Sequence, residues 1–239
     1  DGKLDLAVTN FSGEYLAVYR NMDGSFFEDA SARTGVARAT SRNVGFGLSF
    51  ADLNLDGLPD LSVANGHVTE AAQQFYPGGS LAQPNLVLLQ NPPGVFSPLT
   101  NPGTGVTQLR ASRGLAAADL DGDGDLDLAV NNWKEAPDLL RNDLPNRGHW
   151  LRLRLEGSGK NRLALGARVR VAGGGRTQTQ EVRSGGSYLS QEELTLTFGL
   201  GAATQVEAVE VYWPGSRTPQ RFPGLAVDQE HRLRQTKGN

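Results

Sequence analysis

The feature that most limits how this chain can fold is an acidic segment that occurs three times in register. Asp1-Gly-Lys-Leu-Asp5-Leu-Ala-Val, Asp52-Leu-Asn-Leu-Asp56-Gly-Leu-Pro-Asp60-Leu-Ser-Val and Asp119-Leu-Asp-Gly-Asp123-Gly-Asp-Leu-Asp127-Leu-Ala-Val align on their Asp-Gly steps. The aligned aspartates stand 55 positions apart (1 to 56) and 67 apart (56 to 123). A unit of that length suits about four strands and is far too long for a tandem calcium solenoid.

The flanks repeat with the loops. Phe46-Gly-Leu-Ser-Phe-Ala leads into the second and Gly114-Leu-Ala-Ala-Ala into the third. Each loop is followed by an apolar run ending at Asn10, Asn65 or Asn132, and then by a second strand-like stretch that reaches Asn21, Asn91 or Asn142. The order within a unit is strand, acidic loop, strand, turn, strand. Phe26-Phe-Glu-Asp and Val95-Phe-Ser-Pro supply the outer fourth strand, and residues 66–84 and 97–113 read as insertion loops. The first unit lacks its opening half, so about two and a half units are expected here, with further blades upstream or on another chain. From about His149 the pattern changes to strict apolar/polar alternation in Trp150-Leu-Arg-Leu-Arg-Leu, Ala167-Arg-Val-Arg-Val and Val206 to Trp213. That is the period of half-buried strands. The expected fold class is all-β: a partial β-propeller over residues 1–146, then a small sandwich or barrel-like β domain over residues 147–239. The content of 30 Gly and 12 Pro fits many short strands and tight turns.

The loops have the chemistry of a calcium site. Ca²⁺ takes six to eight hard oxygen ligands, and a loop with oxygens at alternate positions and Gly at the sharp turn supplies them. The third loop offers Asp119, Asp121, Asp123, the Asp125 carbonyl and Asp127. The second offers Asp52, Asn54, Asp56, the Leu58 carbonyl and Asp60. The truncated first keeps Asp1, the Lys3 carbonyl and Asp5. Without a cation the crowded carboxylates repel one another. An EF-hand is excluded, because its twelfth position needs a bidentate Glu and here holds Val63 or Val130. Two complete calcium loops and one truncated loop are therefore expected, the second binding more weakly than the third because it has one Asp fewer.

Other chemistry is sparse. The chain has no Cys, which removes disulfides and thiolate sites, and its net charge of -3 gives no electrostatic case for nucleic acid. No apolar run is long enough to span a bilayer, and no signal peptide is visible. His67, His149 and His231 are scattered; His67 reads as a turn or packing residue and His149 as an interface residue. Ser184-Gly-Gly-Ser-Tyr-Leu-Ser-Gln191 is the one polar, aromatic-bearing stretch, and Tyr188 is expected to pack on the C-terminal domain. Arg152, Arg154, Arg168 and Arg170 alternate along strands and read as a solvated basic face or a stripe for an anionic glycan.

These segments resemble the FG-GAP, or VCBS, repeats of calcium-binding β-propellers, including the integrin α-chain propeller; Phe46-Gly47 stands where the name-giving pair belongs. Asn146-Arg-Gly-His-Trp-Leu, Gly166-Ala-Arg-Val, Glu181 to Gln191, Phe198-Gly-Leu-Gly and Val211-Tyr-Trp-Pro-Gly are similar to an ASPIC/UnbV domain. Their order is that of the cartilage acidic protein family and its bacterial relatives, and the absence of Cys favours a bacterial type. The resemblance implies an extracytoplasmic protein, secreted, periplasmic or on the cell surface, with structural Ca²⁺ and an unidentified protein or glycan ligand. No catalytic constellation is evident in the sequence, so an enzyme is not expected. The competing expectations are an accessory factor or enzyme in biosynthesis or polysaccharide processing, and a scaffold within a larger surface protein.

Overall fold

The computed structural model describes residues 2–76, 78–145 and 147–236. The apolar runs around each acidic loop pair with their neighbours in antiparallel meanders. The first sheet is β1 (Leu6–Val8), β2 (Ala17–Asn21) and β3 (Phe27–Asp29). The second is complete, with β4 (Gly45–Ala51), β5 (Asp60–Asn65), β6 (Leu86–Gln90) and β7 (Phe96–Pro98) in spatial order. The third runs β8 (Ser112–Ala118), β9 (Asp127–Asn132) and β10 (Asp138–Leu140). Three short helices join them: α1 (Val36–Thr40), α2 (Ala72–Phe75) and α3 (Gly103–Thr107). Two of these lie in the stretches expected as plain loops.

The sheets stack face to face, as propeller blades do, and none closes on itself. Leu16, Val18, Val36, Leu61, Val63, Leu88 and Phe96 fill the space between the first and second sheets. Ala51, Leu53, Val87, Leu115, Leu128 and Val130 fill the space between the second and third. β5 is buried along its whole length because it is covered on both sides. The two innermost strands, β4 and β8, run beside each other. There Gly47 is required: a Cβ would stand 2.6 Å from the Leu115 nitrogen, so no side chain fits between the two backbones.

The C-terminal region is a two-sheet sandwich. β11 (His149–Glu156) lies between β14 (Leu196–Gly201) and β17 (Gln229–Arg234), antiparallel to the first and parallel to the second. The facing sheet orders β13 (Arg176–Glu181), β12 (Arg168–Gly173), β15 (Val206–Tyr212) and β16 (Gln220–Arg221). Alternation aims Leu151, Leu153, Val169, Val171, Phe198, Val209 and Val211 into one core, closed by Trp213. The Trp213 indole N–H donates to Gln220 Oε1 at 2.8 Å, which satisfies its one polar atom on burial.

Candidate metal centre

Each complete acidic loop joins the first and second strands of its sheet, and its last aspartate opens the second strand. This aspartate is the pivot. Asp60 accepts the Leu53 N–H at 3.0 Å and the Gln90 N–H at 2.8 Å. Asp127 accepts the equivalent Leu120 N–H at 2.9 Å and Asn142 N–H at 2.7 Å. Asp5 accepts the Asn21 N–H at 2.8 Å. The first aspartate of each loop draws the turn inward: Asp52 accepts the Gly57 N–H at 2.8 Å and Asp119 the Gly124 N–H at 3.0 Å. Gly57 and Gly124 have φ of 87° and 98°, a left-handed conformation that a side chain would strain.

A second recurrent clamp comes from the end of the third strand. The side-chain amides of Asn21, Gln90 and Asn142 donate to the carbonyls of Leu4, Pro59 and Leu126, each the residue before the pivot aspartate. Their backbone N–H groups are the ones that reach the pivot itself. The repeating Asn at strand ends was the sequence signal for this clamp. In the second unit the position is Gln90 and not Asn91: Leu61 pairs with Leu88 as Leu6 pairs with Tyr19 and Leu128 with Leu140, so Gln90 stands at the register of Asn21 and Asn142.

The third loop has the geometry of a cation site. Ligand oxygens of Asp119, Asp121 and Asp127 all lie within 4.8 Å of one another. Asp125 is buried at 1% exposure, and its Oδ1 has no hydrogen-bond partner. Three converging carboxylates, with a buried and unpartnered carboxylate oxygen on Asp125 elsewhere in the same loop, are a donor set that could hold a hard divalent ion. Asp123, expected as a ligand, turns to Arg147, whose Nη1 donates to Asp123 Oδ2 at 2.7 Å and also to the Asp125 carboxylate.

The second loop is tighter. The Asp56 N–H is shared between Asp52 Oδ1 at 3.1 Å and Asn54 Oδ1 at 3.2 Å, and Asp56 Oδ1 accepts the Leu58 N–H at 2.8 Å. Burial, reinforced by the neighbouring carboxylates, pushes Asp52 up to about 7 and Asp60 up to about 6. Of the first loop, Asp1 lies outside the described residues, Lys3 donates from its ammonium to the Met22 carbonyl, and Asp5 is exposed.

The raised values set a pH dependence for the calcium-free chain. Asp52 and Asp60 hold protons more tightly folded than unfolded, so folding takes up protons between the unfolded value of 3.8 and about 7. Stability of chelator-treated protein should therefore fall as pH rises from 4 to 7, by at most about 4 kcal/mol from Asp52. Thermal unfolding across that range checks the sign. A melting temperature that rises from pH 5 to pH 7 in chelator would contradict it.

The loops also carry the sandwich. Residues 1–146 hold 9 Lys and Arg against 18 Asp and Glu, while residues 147–239 hold 14 against 8, so a basic domain faces an acidic one. Leu55 adopts φ 58°, an uncommon conformation for a branched residue, and is fully buried. Its carbonyl accepts the Gly201 N–H at 2.8 Å, and the Asn54 carbonyl accepts the Gly148 N–H at 3.1 Å. Arg152 is buried and chelated by both oxygens of Glu193 at 2.9 Å, with Asp119 at 3.4 Å. It is not part of a solvated stripe. Tyr188 stacks edge-on against Phe46 of β4, with ring centroids 5.2 Å apart, so it packs on the blades and not on the sandwich. Ser187 Oγ accepts the Leu48 N–H at 3.0 Å beside it. His67 is buried between the rings of Phe11 and Tyr76, in a packing role, and His149 contacts Asp228 of its own domain at 2.7 Å.

A family model described as FG-GAP-like repeat matches residues 1–63 and 74–130. A second, described as ASPIC and UnbV, matches residues 157–239. β11 lies upstream of that second match although it is the middle strand of its sheet. No match was found among curated proteins.

Proposed function

Because the chain belongs to the FG-GAP-like repeat family and ends in an ASPIC and UnbV domain, we propose that it is a calcium-stabilised, extracytoplasmic propeller module that binds a protein or glycan and catalyses no reaction. The observation that supports the calcium reading is the third loop: Asp119, Asp121 and Asp127 converge within 4.8 Å, in the loop that also holds the orphaned oxygen of Asp125. Asp119, Asp121 and Asp127 would hold the ion through side chains. Ca²⁺ would supply the positive charge that these carboxylates lack and so fix the connection between β8 and β9. Asp52, Asn54, Asp56 and Asp60 would do the same for β4 and β5.

The binding reading is supported by the way the concentrated carboxylates are used. In the second and third loops they are taken up by backbone N–H groups, Arg147 or the converging cluster, which suits a structural role better than acid-base chemistry. Calorimetric titration of Ca²⁺ into chelator-stripped protein tests the calcium part. We expect two sites, with affinities of about 10⁻⁴–10⁻³ M as in extracellular modules, and a rise in melting temperature by mass action. No heat and no stabilisation at millimolar Ca²⁺ would overturn it. A glycan array probed with calcium-loaded protein tests the ligand part, and the expected result is calcium-dependent retention on one glycan class.

A further inference from the structure

The face of the blades that would hold calcium is also the face on which the sandwich rests: the second loop meets it through the Asn54 and Leu55 carbonyls, and the third through side chains. The Trp150 ring of β11 lies over Gly124 so closely that a Cβ there would stand 2.1 Å from Trp150 Cε2. Arg147, just before β11, holds Asp123 and Asp125. Arg152, further along β11, faces Asp119 Oδ2 at 3.4 Å, and its partner Glu193 accepts the Asp119 N–H at 3.0 Å. Four sandwich-side groups, Trp150, Arg147, Arg152 and Glu193, therefore meet one loop.

The charges fit together. The loop holds five aspartates and Arg147 reaches two of them, whereas Arg152 arrives with Glu193 and Glu230 already around it, so the loop keeps a net negative charge that a divalent cation reduces by two. Calcium and both arginines can thus be present together, with Asp119 the residue that faces both. Without the cation, Asp119, Asp121 and Asp127 repel at short range, and the loop has reason to open.

We propose that the third acidic loop is a calcium-dependent latch for the C-terminal sandwich. Calcium holds the loop in the form that receives Trp150, Arg147 and Arg152, and the docked sandwich in turn favours the calcium-bound loop, as linkage requires. The proposal rests on the calcium reading above and adds that the ion fastens one domain to the other.

Trp150 makes the test direct. Tb³⁺, which occupies calcium sites, is sensitised by a nearby indole, so Trp150 emission transfer reports that the sandwich sits on the loop, and Trp150→Phe identifies the donor. Calorimetry with Ca²⁺ reads binding alone, and scanning calorimetry reads whether the domains unfold as one. In calcium the full chain is expected to show one transition and strong sensitisation; in chelator it is expected to show two transitions. Asp121→Asn, an exposed change that touches neither arginine, should lose one calcium site and unfold in two steps even in calcium. Arg147→Gln should keep the calcium stoichiometry and lose part of the sensitised emission. If wild-type protein gives no calcium heat, the calcium reading fails and the latch with it. If calcium binds at full stoichiometry but the number of transitions is the same with and without it, the latch alone is overturned.

Discussion

Replacing Asp127 by alanine should lower the calcium stoichiometry by one and destabilise the third blade by about 3 kcal/mol or more. The effect is large because the residue does two things at once. It belongs to the trio that converges on the cation position, and its two oxygens hold the Leu120 and Asn142 N–H groups at 2.9 and 2.7 Å. Both bonds are charge-assisted, and the side chain is only 1% exposed, so water cannot take its place. Asp127→Asn separates the two roles. It keeps an acceptor oxygen for one N–H but removes the charge, and it should lose the calcium site at a smaller cost to the stripped protein. Calorimetric stoichiometry together with thermal unfolding in chelator checks both variants. An unchanged stoichiometry in Asp127→Ala would sink the assignment of this loop as a metal site.

Gly199→Ala is expected to separate the sandwich from the blades. A Cβ at this position would lie 2.0 Å from Asp52 Oδ2 and 2.5 Å from the Leu55 carbonyl carbon. Neither neighbour can give way. Asp52 is pinned by the Asp56 and Gly57 N–H groups, and Leu55 is backbone already held in a left-handed conformation under the sandwich. Overpacking of this kind costs about 1–3 kcal/mol, and here β14 must move away from the second loop to relieve it. The expected readout is a split of one thermal transition into two, with the second calcium site weakened. Gly186→Ala is the control: it meets nothing within 4 Å and should leave unfolding unchanged. A single, unshifted transition in Gly199→Ala would show that the junction is looser than these distances imply.

Much of the candidate site was legible in the sequence, because its parts are local. Alternate oxygens, a glycine at the turn and an apolar strand on either side lie within about a dozen residues, so spacing alone placed the second and third loops between strands. The change from acidic repeats to strict alternation near His149 marked the start of β11 in the same way. Other features needed partners distant in sequence. Gln90 serves Asp60 from 30 positions away, and Arg152 serves Glu193 from 41. Arg152 looked like one member of an exposed alternating stripe because period two tells which face a side chain takes, and not whether that face is covered. Tyr188 was assigned to its own domain for a similar reason: a turn gives no sign of which surface will meet it.

The sequence by itself therefore determined the all-β class, the repeated sheets, the acidic loops and the separate C-terminal sandwich, since each follows from short-range periodicity and turn chemistry. Only the tertiary structure decided that the sandwich rests on those loops, that Arg147 competes for Asp123 while Asp119, Asp121 and Asp127 converge, and that Leu55 is buried at the junction. Those outcomes depend on two surfaces of opposite charge meeting at van der Waals distance, which strand period and loop spacing do not encode.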